Sequence, residues 1–98
     1  MTRDEAIRRL KEQAGAIRAL GATSLYLFGS LSRDEATSTS DLDLFVDYDR
    51  DGRFNAFDLV GIKLLLEEQL HIPVDVTTRD GLHPMLRGNI EHAAIRIF

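Results

Sequence analysis

From residue 41 the chain reads Asp41-Leu42-Asp43-Leu44-Phe45-Val46-Asp47. Acidic and apolar residues alternate with period two for most of this stretch, the pattern of a β-strand with one face in a core. Aspartate is depleted in strands, so Asp41 and Asp43 call for a reason. At i and i+2 they share one face, roughly 7 Å apart along the strand. Leu42, Leu44 and Val46 point the other way. The stretch Pro73-Val74-Asp75-Val76-Thr77 repeats the pattern, with Asp75 between two valines. If the two strands are neighbours, three carboxylates meet on one patch.

The flanking sequence supplies the rest of the architecture. Ser24-Leu25-Tyr26-Leu27-Phe28 is a short apolar and aromatic run stopped by Gly29, a buried strand. Upstream, Thr2 and Glu5 fit a capping box, and Ala6, Ile7, Leu10, Ala14, Ile17 and Leu20 follow helical spacing up to Gly21. Ser30 to Ala36 suits a short helix, Thr37 to Ser40 a polar loop, and Asp49 to Arg53 a turn. Asn55 can cap a helix to about Leu70 with Phe57, Val60, Gly61, Leu64 and Leu65 as its inner stripe. Pro84 suits the first turn of a last helix reaching about Ala94. Ile95 to Phe98 reads equally as helix or strand. The order α-β-(α)-β-α-β-α predicts an α/β (α+β) fold, a small mixed sheet of three strands or slightly more packed by helices.

Composition narrows the function classes. The chain has 98 residues, which predicts a single domain over 1–98. It has no cysteine, which excludes disulfides, thiolate metal sites and cysteine nucleophiles. Lysine and arginine total 12 against 16 aspartates and glutamates, a formal net charge of −4. That balance argues against nucleic-acid binding through a basic surface. The polar start, Met1-Thr2-Arg3-Asp4-Glu5, lacks an apolar signal core. No apolar run approaches the ~20 residues of a membrane span, so a soluble, cytoplasmic protein is expected.

The carboxylates point to metal chemistry. Like charges held side by side repel, and a divalent cation offsets the repulsion. Mg²⁺ prefers oxygen ligands and takes one or two carboxylates together with substrate phosphates. Three convergent carboxylates are what a two-metal phosphoryl-transfer site requires. Gly29-Ser30, at the end of a strand, supplies the second component. Glycine lets backbone approach a phosphate, and a helix beginning there would attract anions. Taken singly, Gly29 also reads as a turn, Asp41 as a cap, and Asp43 and Asp75 as solvent-facing residues. Their combination is harder to explain that way.

Asp47, Asp49, Asp51, Gly52, Asn55 and Asp58 fall at EF-hand loop positions, but a strand rather than a helix enters the loop. A solvated acidic turn is the preferred reading. His71, His83 and His92 have no metal-ligand spacing and suit surface or capping roles.

Gly29-Ser30, ten intervening residues and Asp41-Leu42-Asp43-Leu44 together resemble the signature of the DNA polymerase beta-like nucleotidyltransferase superfamily. Ile72-Pro73-Val74-Asp75-Val76 is similar to its third-carboxylate strand. The short length, the leading helix and Leu82-His83-Pro84 resemble the minimal nucleotidyltransferases, often antitoxins paired with a HEPN-domain ribonuclease toxin. The resemblance implies Mg²⁺-dependent transfer of a nucleoside monophosphate, AMP from ATP, to a hydroxyl. In such antitoxins the acceptor is a tyrosine of the HEPN toxin. Asp41 and Asp43 would hold both metal ions. Asp75 would hold the catalytic one and help activate the acceptor. Gly29, Ser30 and Arg33 would hold the triphosphate. Ser32-Arg33-Asp34 departs from the family's common Ala-Arg-Gly. Two other readings stand beside this one: a non-catalytic antitoxin that occludes its toxin, and a nucleotidyltransferase acting on a small molecule. The three aspartates account for most of the net charge of −4, which ties the acidic balance to the site.

Overall fold

The structure, a computed structural model, describes residues 1–33 and 41–98. Two helices, α1 (Arg3–Glu12) and α2 (Ala14–Ala19), lead into strands β1 (Ala22–Phe28) and β2 (Leu42–Tyr48). Helix α3 (Ala56–Leu70) returns the chain to β3 (Val74–Thr78). A 3₁₀ turn (Arg79–Gly81), helix α4 (Arg87–Ala93) and strand β4 (Ile95–Arg96) complete it. The sheet is mixed, in the order β3-β2-β1-β4. β1 is antiparallel to β2 and to β4, whereas β2 and β3 run parallel. A parallel pair needs a crossover, and α3 provides it.

The alternation in β2 divides the sheet into two chemically different faces. Leu42, Leu44 and Val46 are fully buried with Leu25 and Leu27 of β1. Ala6, Leu10, Ile17, Ile62 and Leu66 complete this core from the helices. Asp43, Phe45 and Asp47 occupy the other face.

Several local expectations are corrected. The leading helix is two helices, broken at Gln13, where ψ is near 2°. Its two predicted ends are observed: the Thr2 hydroxyl accepts from the Glu5 amide at 3.2 Å, and Gly21 adopts φ +112°. The inner stripe of α3 is only partly the expected one: Gly61 faces Leu20 and Leu65 packs against the core, but the centre of the stripe lies elsewhere. Ile62, Leu66 and Leu70 are buried, whereas Phe57, Val60 and Leu64 are 87%, 50% and 58% exposed. Because α3 is apolar around most of its circumference, helical spacing alone cannot choose the buried side.

The last helix begins later than expected. Pro84 lies in the preceding turn, where the Leu86 and Arg87 amides both donate to the His83 carbonyl. Ile95 and Arg96 form a fourth strand, extended by the Ile97 amide donating to the Leu25 carbonyl at 2.8 Å. His71 caps α3 in the left-handed conformation, consistent with its expected capping role. Of the helix expected over Ser30 to Ala36, residues 30–33 form a turn. Its remaining residues and the loop expected over Thr37 to Ser40 lie outside the described residues. Among the described residues no helix is long and apolar enough to cross a membrane.

Edge strand β3 is tied to α3 by one small network. Lys63 Nζ donates to the Val74 carbonyl at 2.7 Å, and Glu67 accepts from the Val74 amide at 3.0 Å and from Lys63 at 3.1 Å. The Val74 amide and Lys63 together hold the Glu67 carboxyl below its ordinary value. A carboxylate with a lowered folded pKa stabilises the fold above its unfolded value, and that contribution vanishes as pH falls through the folded value. Glu67→Gln is therefore expected to lower the thermal midpoint at pH 7. The gap to wild type should close at a pH well below 4.5, the ordinary value. Thermal melts followed by circular dichroism across pH 3–7 check both halves.

Candidate active site

The polar face of β2 carries the candidate site. Asp43 lies directly across the parallel ladder from Asp75 and across the antiparallel ladder from Phe28. Directly opposite residues on one face have Cβ atoms about 5 Å apart, so two carboxylates stand side by side. Asp41 immediately precedes β2 and is exposed. The Asp43 carboxyl is held above its ordinary value, first by burial and then by the charges of Asp75 and Asp41. The guanidinium of Arg33 opposes the shift. The three aspartates and Arg33 thus share one electrostatic environment.

Gly29 follows the last residue of β1 at φ +76°. A Cβ added there would collide with Asp43 Oδ2 and stand 3.1 Å from its Cγ. Glycine is required twice, for the left-handed conformation and for contact with the carboxylate. The turn beyond it is built into the protein. Leu31 is buried in the core, Ser32 Oγ donates to the Gly29 carbonyl at 2.7 Å, and the Arg33 amide donates to the Ser30 carbonyl at 3.2 Å. Ser32, a departure from the family pattern, is thus a strut for the glycine turn.

A cleft of about 350 Å³ opens beside this turn, lined by Phe28, Gly29, Ser32 and Arg33 on one side and Asn89, Ile90 and Ala93 of α4 on the other. The volume falls within the usual range for small-molecule sites. The α4 wall is what the sequence reasoning missed, although Asn89, Ile90 and Ala93 have the i, i+1, i+4 spacing of one helix face. Arg79 is a second omission. Its fork donates to Asp47 at 2.7 and 2.9 Å and to Glu91 of α4 at 2.6 Å. Asp47 shares a face with Asp43 and is half-buried there, and Arg79 supplies the cation it needs.

Residues with EF-hand spacing use their oxygens elsewhere. Asp47 binds Arg79, and Asn55 with Asp58 forms the capping box of α3. Asp49 accepts from the Asp51 amide. Among the described residues no group of three or more histidines and acids stands arranged as a closed metal-ligand set. The donor chemistry of the Asp43–Asp75 pair nevertheless suits a hard divalent cation, which would offset the like charges that raise the Asp43 carboxyl.

Residues 5–97 match the sequence pattern of the nucleotidyltransferase domain. The chain belongs to the nucleotidyltransferase domain family. A relative in Methanocaldococcus jannaschii, provisionally named a protein adenylyltransferase, is 38% identical over 79% of this chain and 81% of its own length. A solved structure provisionally described as a minimal nucleotidyltransferase is 33% identical, covers 97% of this chain and 95% of its own, and superposes with a TM-score of 0.83. A toxin–antitoxin structure with AMP-PNP shares the fold, with a TM-score of 0.68 at 17% identity. It covers the whole of this chain and 73% of its own. The nucleotidyltransferase is accordingly a transferase enzyme.

Two outcomes are expected from this geometry. Gly29→Ala should lose about 1–2 kcal/mol from the left-handed backbone alone, with a further loss from the collision. Nucleotidyl transfer should fall with it, whereas Gly88→Ala on α4, where a Cβ meets open space and alanine favours the helix, should leave transfer unchanged and stability equal or up to about 1 kcal/mol higher. Urea titration and a transfer assay measure the two quantities. In a chelator, Asp43→Asn should raise the thermal midpoint, because the amide keeps the shape and removes a charge that its neighbours oppose. Calorimetry in EDTA reads that rise directly.

Proposed function

We propose that this nucleotidyltransferase moves AMP from ATP to a tyrosine hydroxyl of a HEPN-type ribonuclease toxin, acting as the antitoxin. Residues 1–98 act as one catalytic domain. The observation that carries this reading is the register of Asp43 against Asp75 beneath a glycine that only just clears the carboxylate. The name of the M. jannaschii relative and the toxin–antitoxin neighbour support the choice of AMP and of a protein acceptor. The exposed Phe57, Val60 and Leu64 also suit a chain that works against another protein.

Asp41 and Asp43 would hold two Mg²⁺ ions, and Asp75 the one nearer the acceptor. Bound Mg²⁺ supplies positive charge to the triphosphate and lowers the cost of ionising the attacking hydroxyl. The remaining work falls to the chain. Gly29 and Ser30 present backbone and hydroxyl to the triphosphate, and Arg33 adds charge beside it. The cleft between Phe28 and Ile90 takes the nucleoside, where the Asn89 amide offers both a donor and an acceptor to a base edge. Asp75 orients the acceptor hydroxyl. Its oxygen then bonds to the α-phosphorus, the bond from α-phosphorus to the β-phosphate oxygen breaks, and pyrophosphate leaves. The hydroxyl proton passes to the carboxylate side of the site and then to water.

The test is incubation with α-labelled ATP, Mg²⁺ and a HEPN-type ribonuclease as acceptor. Wild type should label a tyrosine of the acceptor, and Asp43→Asn should be slower by roughly a hundredfold or more, the equivalent of several kcal/mol of lost charge stabilisation. Absence of labelling by wild type, or equal labelling by Asp43→Asn, would overturn the reading. Neutralisation of the toxin by an Asp41→Ala/Asp43→Ala double variant would favour occlusion without chemistry.

A further inference from the structure

Helix α4 forms one wall of the cleft, yet none of its seven residues is buried. Its C-terminal end is set by β4, which begins two residues after Ala93, the last residue of α4, and pairs with β1. Its middle is held by Glu91. Glu91 Oε2 accepts from Arg79 Nη1 at 2.6 Å, and Oε1 accepts from Arg87 Nε at 2.9 Å. Among the described residues the Arg79–Glu91 pair is the only salt bridge joining α4 to the body of the protein.

Arg79 is itself fixed on every side. Its Nε and Nη2 grip both oxygens of Asp47, a two-pronged contact that only a guanidinium can make. Its central carbon lies 4.9 Å from the Tyr26 ring centre and 5.0 Å from that of Phe45, and these rings stack on each other at 4.7 Å. The turn that carries it is closed by the Gly81 amide donating to Thr78 Oγ1. Asp47 lies on β2 four residues from Asp43 and on the same face. A continuous linkage therefore runs from the carboxylate strand through Asp47, Arg79 and Glu91 to Asn89 and Ile90.

We infer that Arg79 and Glu91 are positioning residues: their ion pair sets the distance of the α4 wall from the glycine turn and so governs nucleotide affinity without touching the nucleotide. The inference rests on the reading that this cleft receives the nucleoside. It accounts for a guanidinium engaged with two carboxylates and two rings on a face otherwise given to the site. A purely structural clamp would change stability, whereas a positioning clamp changes binding more than turnover.

The experiment compares wild type, Glu91→Gln, Glu91→Asp and Asn89→Ala. Binding of the non-hydrolysable ATP analogue AMP-PNP with Mg²⁺ is measured by calorimetry, together with KM and kcat for ATP. Glu91→Gln is expected to raise Kd and KM roughly tenfold, the scale of one charge-assisted hydrogen bond, with kcat changed less than about threefold. Glu91→Asp keeps the charge but draws it back by one methylene, and serves if the glutamine variant does not fold. It should show the same split with a smaller rise in KM. Unchanged KM in both glutamate variants, or a loss confined to kcat, overturns the positioning role. If Asn89→Ala weakens binding while the glutamate variants do not, the cleft reading stands and only the clamp fails. If wild type binds no AMP-PNP, the cleft reading fails and takes the clamp with it.

Discussion

Two carboxylates face each other across the β2–β3 ladder, and neither Asp43 nor Asp75 makes a salt bridge among the described residues. Like charges directly opposite in a sheet are destabilising. The fold therefore has to hold them together by other means. Leu42, Leu44 and Val46 do so from the reverse side of the same strand, since shifting β2 by one residue would bring its aspartates into the core. The apolar burial that fixes the register is also what forces the acids into proximity.

The same strand solves its charge problem in two ways. At one end Asp47 has a partner built into the protein, the fork of Arg79 lying on Tyr26 and Phe45. At the other end Asp43 has burial, Asp75 and Asp41 against it and the charge of Arg33 in its favour, with the balance disfavouring ionisation. A fold able to supply a bidentate guanidinium at Asp47 leaves the Asp43–Asp75 pair for something from outside. That contrast within one strand separates a structural acid from a site acid more clearly than either residue's identity does.

Much of this was legible before any coordinates. The period-two pattern of residues 41–47 located both the strand and its polar face. Asp75 between valines placed a third acid on a second strand. Gly29 before Ser30 marked the close approach, although the reason, contact with the Asp43 carboxylate, depends on β1–β2 register and could not be read locally. Helical spacing leaves the buried side of α3 open, because Phe57, Val60 and Leu64 match it as well as Ile62 and Leu66 do, although Leu65 and Gly61 lie on the core side either way. Only the sheet decides between them. Arg79 carries no local signal, because its partners lie 32 and 12 residues away. The second wall of the cleft belongs to a helix without a buried residue, so no hydrophobic pattern announced it.

These features divide the molecule by stability. The helical side is dry, and its edge strand is pinned by Lys63 and Glu67. The site side is assembled from a glycine turn, an exposed acid and a helix attached by ions. Segments with few buried contacts are the ones that open most readily. A cleft wall seated in the apolar core would move only with that core. The α4 wall rests on Glu91 against Arg79, whereas the register of β2 rests on Leu42, Leu44 and Val46 in the core, so the two sides of the site depend on different interactions.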